Sequence, residues 1–280
     1  MNANIASDSA AQSYASGHLA GWLGTRSRVT VITGAGVSTE SGIPDYRDGD
    51  GNWKRSPPVQ YRDFIESDAV RRRYWARSFA GWPLFVAARP SAAHVALAKL
   101  ERAGRIHDLV TQNVDGLHQR AGSRDVIDLH GRLDVVRCLA CNSPVDRDEF
   151  QERLRQANPG WNATLSRIAP DGDADLEGVD FNAFEVPACE VCGGVLKPDV
   201  VFYGESVPRE RSAAALDAVL AADGVLVVGS SLMVWSSFRL VRAAVQRDIP
   251  VVAVNRGHTR ADDLLAFKID AECGAVLSSL

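Results

Sequence analysis

Five short apolar runs, each bounded by Gly, Asn or His, constrain this chain more than any other feature: RVTVITGAG (28–36), HDLVTQN (107–113), DVIDLHG (125–131), GVLVVGSS (224–231) and IPVVAVN (249–255). They are rich in β-branched residues and do not alternate apolar with polar. A strand with one wet face alternates; a strand covered on both faces need not, and parallel strands are covered on both faces. Helical spacing separates the runs. Ala93, Leu97 and Leu100 make one stripe within 91–103, and 208–222 and 236–246 read as helices. Strand and helix in alternation predict an α/β fold built on a doubly wound parallel sheet. Two stretches interrupt it, an Arg- and Trp-rich helical piece over 45–88 and a cysteine-bearing segment over 132–199, which together would form a second, smaller domain. In open parallel sheets ligands bind outside the carboxyl ends of the strands, where each run here carries polar or Gly-rich residues.

The cysteines fall as Cys138-Leu-Ala-Cys141, then 47 residues, then Cys189-Glu-Val-Cys192, with Cys273 apart. A CxxC turn points two thiolates at one ion, and two such turns complete the four-thiolate tetrahedron of structural zinc, leaving no open position for chemistry. Two disulfides are the bland reading, but an intracellular chain is kept reduced. The gap exceeds the roughly 15–20 residues of a compact ribbon, so a segment is inserted between the knuckles. It opens with a helical pattern over 148–156 and continues through turn formers. Cys273 reads as a small buried residue.

With 280 residues, 46% of them hydrophobic, the chain can bury a genuine core. Lys plus Arg number 31 against 35 Asp plus Glu, a net charge of −4, so no basic field exists to hold nucleic acid non-specifically. No run approaches the 18 or so apolar residues of a membrane span, and the N-terminus lacks the basic start and apolar core of a secretory signal. Residues 1 to about 15 read as a mobile tail, rich in Ser and Ala but short of the Arg of a transit peptide. Gly34-Ala35-Gly36-Val37-Ser38 follows the first run and reads as the start of a helix, where free backbone N–H groups and the helix dipole favour a pyrophosphate. Thr39 stands in place of the third Gly of GxGxxG, and no acidic residue ends the second strand. Gly229-Ser230-Ser231 and Asn255-Arg256-Gly257 supply small donors at the same sheet edge. Three converging loops point to a dinucleotide; ordinary strand-ending turns are the plain alternative.

The motifs GAGVSTESGIPDYRD (34–48), TQNVDGLHQRAGS (111–123), LHG (129–131), the two CxxC pairs, KPDVVFYGE (197–205), VVGSSLMV (227–234) and VNRG (254–257) together resemble the sirtuins, NAD-dependent protein lysine deacylases. The resemblance runs in family order over residues 28–277. RRYWARSFAGWP (72–83) and APDGD (169–173) look like the class II branch, which includes a mitochondrial deacylase and many bacterial relatives. The implied fold is a Rossmann-like NAD-binding domain (28–44, 89–131 and 200–280) with a small helical and zinc-binding domain (45–88 and 132–199), after an N-terminal tail and first helix (1–27). The implied cofactors are NAD, consumed rather than reduced, and one structural zinc on Cys138, Cys141, Cys189 and Cys192.

Residue by residue, the resemblance makes Gly34, Ala35, Gly36 and Ser38 the phosphate-side loop, with Asp45 beside it and Arg47 reaching the diphosphate. Tyr46, where many relatives have Phe, would cover the nicotinamide ribose. Gln112, Asn113 and Asp115 would hold nicotinamide and its ribose; Gly229, Ser230, Ser231, Asn255, Arg256 and Gly257 the adenosine half, with the backbone of Cys273 by the adenine. The catalytic residues implied are His130 and Asn113. In the family's chemistry the acyl-lysine oxygen attacks the ribose at C1′, nicotinamide leaves, and the His activates ribose hydroxyls so that the acyl group passes to ADP-ribose. An imidazole titrates near neutral pH and can take that proton at little cost. The other histidines have no comparable match. The substrate peptide would lie as an added strand between Gly204-Glu205 and Met233 to Ser236, with Val201 and Phe202 walling the acyl-lysine tunnel. Tyr74 and Arg77, at i and i+3 on a helix, could hold an acidic acyl chain, since the planar guanidinium reads carboxylates well; the plain alternative packs Tyr74 and solvates Arg77.

The expected activity is therefore deacylation of an acylated-lysine protein or peptide, with no nucleic acid or membrane partner, by a monomer in the bacterial cytoplasm; a eukaryotic copy would sit in mitochondria. Three readings compete with it. Mono-ADP-ribosyl transfer to protein would share the cleavage of NAD, a sensor of NAD or ADP-ribose would have no need of a base at His130, and a dehydrogenase would lack its acidic ribose residue.

Overall fold

The computed structural model describes residues 3–45, 58–161, 165–168, 174–176 and 179–280. The chain starts with α1 (Ala3–Gly24), β1 (Val29–Thr33), α2 (Tyr61–Glu66), α3 (Asp68–Ala87), α4 (Ala92–Arg102), β2 (Asp108–Thr111), α5 (Leu117–Ala121) and β3 (Val126–Asp128). An antiparallel excursion follows: β4 (Gly131–Cys138), β5 (Pro144–Asp146), α6 (Arg147–Ala157), β6 (Leu165–Ile168), β7 (Ala174–Leu176) and β8 (Leu196–Val200). The chain closes with α7 (Arg209–Leu220), β9 (Gly224–Val228), α8 (Trp235–Val245), β10 (Val251–Val254), β11 (Phe267–Ile269) and α9 (Cys273–Leu277).

The five apolar runs supply five strands of one parallel sheet, ordered β3-β2-β1-β9-β10-β11. Every residue of β1, β9 and β10 is buried, which is why their sequences do not alternate. Val29 and Val31 face a core shared with α1, α4 and α9; Ile32 faces one shared with α7 and α8. The buried Thr30 hydroxyl donates to Ala218 O at 2.9 Å, so covering the strand strands no polar group. β11 was not expected. Three residues containing Lys268 carry no pattern that a periodicity argument can use.

The N-terminal segment departs from expectation, because helix begins at Ala3 rather than after a mobile stretch. Ala-rich sequence favours helix, and Leu19, Trp22 and Leu23 lay it on the sheet core while Ser16 Oγ donates to Val276 O at 3.1 Å. A separate core joins α2, α3 and α6 to the three-stranded sheet β5-β4-β8. Trp75 is its centre, fully buried, with Phe150 edge-on at 4.7 Å and Nε1 donating to Leu196 O. Arg147 is buried beside it, its guanidinium 4.7 Å from the Trp82 ring and bonded to Ser78 and Gln151. The strands β6 and β7 form a hairpin, and APDGD (169–173) lies outside the described residues.

Candidate active site

All six parallel strands end at one edge of the sheet, and the segments leaving them line a cavity of about 1050 Å³. Chain order reverses between β1 and β9, which makes this the topological switch point where doubly wound sheets bind ligands. β1 contributes Gly34, Ala35, Gly36 and Ser38; β2 contributes Gln112, Asn113 and Asp115; β3 leads to His130. β9 contributes Gly229, Ser230 and Ser231, β10 Asn255 and Arg256, and β11 leads to Cys273. Asp45 lines the cavity, Gly257 flanks it, and Tyr46 and Arg47 lie outside the described residues. Opposite the sheet edge stand Val201, Phe202, Gly204 and Glu205, with Met233 to Ser236 beside them.

The reason for the glycines differs from the one read in the sequence. No α-helix starts after β1; two 3-10 turns, Ala35–Val37 and Thr39–Ser41, follow instead. Nor are the N–H groups of Gly34 and Gly36 free, since they donate to Val228 O at 3.2 Å and Gly229 O at 2.8 Å. The glycines let two loops pack across the switch point. A Cβ on Gly36 would stand 2.9 Å from Gly229 Cα, and one on Gly229, at φ +58°, 2.6 Å from Val37 N.

The polar residues after β2 are held by the neighbouring loops. Gln112 Nε2 donates to Ser230 Oγ at 2.8 Å and Thr33 O at 3.1 Å, and its Oε1 accepts from Ser237 Oγ at 2.8 Å. Asn113 Nδ2 donates to Gly34 O and Ser38 Oγ. Asp115 accepts from Ser38 Oγ at 2.7 Å and from Leu117 N at 2.9 Å. Three loops and α8 are thereby tied into one rigid floor.

His130 Nδ1 lies 3.1 Å from Gln112 O and Nε2 2.7 Å from Ser236 Oγ. A carbonyl only accepts, so Nδ1 carries the proton. Burial pushes the His130 pKa down to about 4, against the Gln112 carbonyl, which favours the charged form. The ring is therefore neutral at pH 7, and its Nε2 lone pair, which accepts from Ser236, is the available base. Ser236 as this partner was not legible: it lies 106 residues away in sequence and no spacing rule links the two.

His130 is also tied by backbone to the opposite wall, because Val201 N donates to His130 O at 2.8 Å. The turn after it is closed by Glu205, which accepts from Phe202 N at 2.8 Å and pairs with the buried Lys197 at 3.0 Å. Burial lowers the Lys197 pKa, Glu205 opposing it. Leu232 holds the facing segment at φ +55° while almost wholly buried, a conformation costing about 1–2 kcal/mol for a residue with a Cβ. Cys273 is buried, its Sγ–H 3.4 Å from Val254 O and its pKa pushed up to about 12 by that burial, so it is a neutral thiol.

Tyr74 and Arg77 are not among the described residues that line the cavity. The Tyr74 ring is buried edge-on to Phe64 at 5.5 Å and tilted against Phe202 at 5.2 Å, so it backs the wall from the core side.

The four sulfurs of Cys138, Cys141, Cys189 and Cys192 lie within 4.8 Å of one another, with Cys138 to Cys192 at 3.5 Å and Cys141 to Cys189 at 3.7 Å. Disulfide sulfurs would be about 2.05 Å apart, whereas Zn–S bonds of about 2.3 Å in a tetrahedron give edges of about 3.8 Å. The set fits zinc. Ala140 N also donates to Cys138 Sγ at 3.4 Å, and a Cβ on Gly194 would strike that sulfur at 2.8 Å.

A family model described as "Sir2 family" matches residues 34–236. "NAD-dependent protein deacetylase 2" of Bradyrhizobium diazoefficiens is 60% identical over 90% of this chain and 93% of its own. "NAD-dependent protein deacylase Sirt4" of Drosophila melanogaster is 49% identical over 91% of this chain and 83% of its own. The solved structure "Sir2-p53 peptide-NAD+" superposes with a TM-score of 0.76 at 28% identity, covering 94% of this chain and 95% of that one.

Proposed function

This chain belongs to the Sir2 family, and from that membership we propose that it removes acyl groups from protein lysines at the expense of NAD, with His130 as the base. The observation that carries the assignment of the base is the neutral His130, Nε2 unprotonated, set where the switch-point crevice meets the wall of 200–207. NAD, when bound, supplies the C1′ carbon from which nicotinamide departs. The loops of Gly34–Ser38, Gly229–Ser231 and Asn255–Gly257 would hold its diphosphate and adenosine half. Gln112, Asn113 and Asp115 would orient the nicotinamide ribose, since the bonds among these loops fix their side chains before any ligand arrives. His130 Nε2 would take a proton from a ribose hydroxyl once the Ser236 hydroxyl gives way, so that the acyl group could pass to ADP-ribose and the free lysine amine depart.

The acyl-lysine peptide would enter as an extended strand between Gly204-Glu205 and Met233–Ser236, where backbone pairing tolerates many sequences, with Val201 and Phe202 beside the acyl chain. Cys138, Cys141, Cys189 and Cys192 would hold one structural zinc. The bacterial relatives favour a cytoplasmic enzyme; no described helix is long and apolar enough to cross a membrane.

The test is mass spectrometry of a lysine-peptide panel bearing acetyl, fatty acyl, lipoyl, succinyl and 3-hydroxy-3-methylglutaryl groups, incubated with NAD. Expected are loss of acyl mass, matching O-acyl-ADP-ribose, and a turnover roughly 10²- to 10⁴-fold lower in His130→Ala. ADP-ribose mass on protein without deacylation would overturn the proposal in favour of a transferase.

A further inference from the structure

The substrate side of the cavity mouth carries a charge imbalance that deacylation does not use. α8 opens on Trp235, whose side chain is 52% exposed. The Arg242 guanidinium lies 5.6 Å from the Trp235 ring centroid and that of Arg260 5.5 Å, with Arg260 also 4.4 Å from the Phe238 ring. Residues 235, 239 and 242 share a helix face by their spacing, and Arg239 lines the cavity with Trp235 and donates to Ser212 Oγ. Among the described residues no carboxylate pairs with Arg239, Arg242 or Arg260. Elsewhere around the cavity Arg256 pairs with Glu272, and Glu205 in its wall pairs with the buried Lys197. Two unmatched guanidinium groups about one indole, with the unmatched Arg239 on the same helix face, thus stand out on a chain of net charge −4.

Their placement relates them to the substrate. Arg260 Nη1 donates to Met233 O at 3.1 Å, which fixes the guanidinium against the segment beside which the peptide strand would run. A guanidinium over an aromatic face keeps N–H groups in its own plane, free to meet a carboxylate. The structure assigns this patch to the recognition of Asp and Glu side chains flanking the acyl-lysine. The assignment rests on the peptide path proposed above and adds to it a sequence preference that backbone pairing alone does not provide.

The test uses the full-length protein and acetyl-lysine peptides of equal length whose flanking residues are acidic, neutral or basic. Fluorescence anisotropy measures their binding and mass spectrometry their NAD-dependent turnover. Acidic flanks should bind roughly three- to tenfold more tightly than basic ones at low ionic strength, and the ratio should shrink as salt rises. The double variant Arg242→Glu/Arg260→Glu should reverse the ratio and Arg242→Lys/Arg260→Lys should keep its sign; taking the ratio within each protein removes effects on folding. Equal binding of acidic and basic flanks by the wild type, or an acidic preference that survives the double Glu variant, overturns the patch. A flank preference in binding without turnover of any acetyl-lysine peptide leaves the patch standing, and the acyl panel above then decides the deacylase reading, so the two fail separately.

Discussion

His130 serves as a base because of where its other nitrogen is committed. The Gln112 carbonyl holds the Nδ1 proton, and Gln112 is in turn clamped by Ser230, Ser237 and Thr33. The tautomer is therefore set by loops after β1, β2 and β9 and by α8. The residue next in sequence is as demanding. Gly131 has φ +81°, and a Cβ there would fall 1.8 Å from Asp199 O, backbone in the partner strand β8. Gly131→Ala must break the start of the β4–β8 ladder and move His130 with it. Gly122 also has a positive φ, +99°, but its Cβ would meet only the tip of Arg102 at 3.2 Å, so Gly122→Ala should cost about 1 kcal/mol, the left-handed penalty alone. Gly131→Ala should cost at least about 3 kcal/mol and most of the activity. Denaturant melts of the two variants check this, and equal losses would mean that the contact with Asp199 relaxes freely.

The β4–β8 ladder joins the two kinds of site that the sequence presents separately. Gly131 pairs with Val200 at one end, beside His130 and Val201, while Cys138 pairs with Leu196 at the other, beside the knuckles. Four thiolates on one ion clamp the far end of the ladder whose near end places the base. Removing zinc, by chelation or by Cys141→Ala, should lower Tm by on the order of 10 °C and reduce turnover although no ligand touches the cavity. Hydrogen exchange should quicken most near Cys138 and less toward Gly131. An unchanged Tm in protein shown to have lost its zinc would reject the clamp. At this scale the sequence was informative where elements are long or repetitive. Three of the five strands, β1, β9 and β10, are buried on both faces, and both CxxC turns are local. β11 escaped because three residues hold no period, and the turns after β1 were misread because a Gly-rich loop after a strand looks the same whether an α-helix or two 3-10 turns follow it.

Across the whole molecule, loops distant in sequence converge because parallel strands all end on the same edge, so that residues which follow apolar runs could be gathered into one site before any coordinates. What pairs across those loops follows from packing and leaves no mark in spacing: Ser236 on His130, Arg147 between two Trp rings, and two histidines, given no role by motif, tilted against each other beneath the floor. His94 and His118 are buried with ring centroids 4.6 Å apart. His94 Nδ1 accepts from Ser91 N at 3.1 Å, and His118 Nε2 lies 2.9 Å from Thr33 Oγ1. Burial lowers the pKa of His94 to about 4, with Asp115 opposing, and that of His118 well below 6.5, with a charge on His94 lowering it further. Both are neutral in the folded protein, while the unfolded chain takes up their protons near pH 6.5. Their contribution to stability is thus complete above that value and is lost as pH falls toward 4, at about 1.4 kcal/mol per pH unit for each imidazole. His130 acts in the same direction. Asp128, its pKa raised by burial, opposes them as a single group, and the carboxylates held low by partners, such as Asp262 at about 2, lose their contribution only at lower pH. Unfolding by denaturant should therefore become easier by roughly 3–5 kcal/mol between pH 6.5 and 5, and the His C2 proton shifts of the folded protein should show three imidazoles, His94, His118 and His130, that stay neutral across that range. A stability flat from pH 7.5 to 5, or buried histidines titrating near 6.5, would mean that water or a counter-charge reaches the pair and that the floor beneath Gln112, Asn113 and Asp115 is looser than its hydrogen bonds imply.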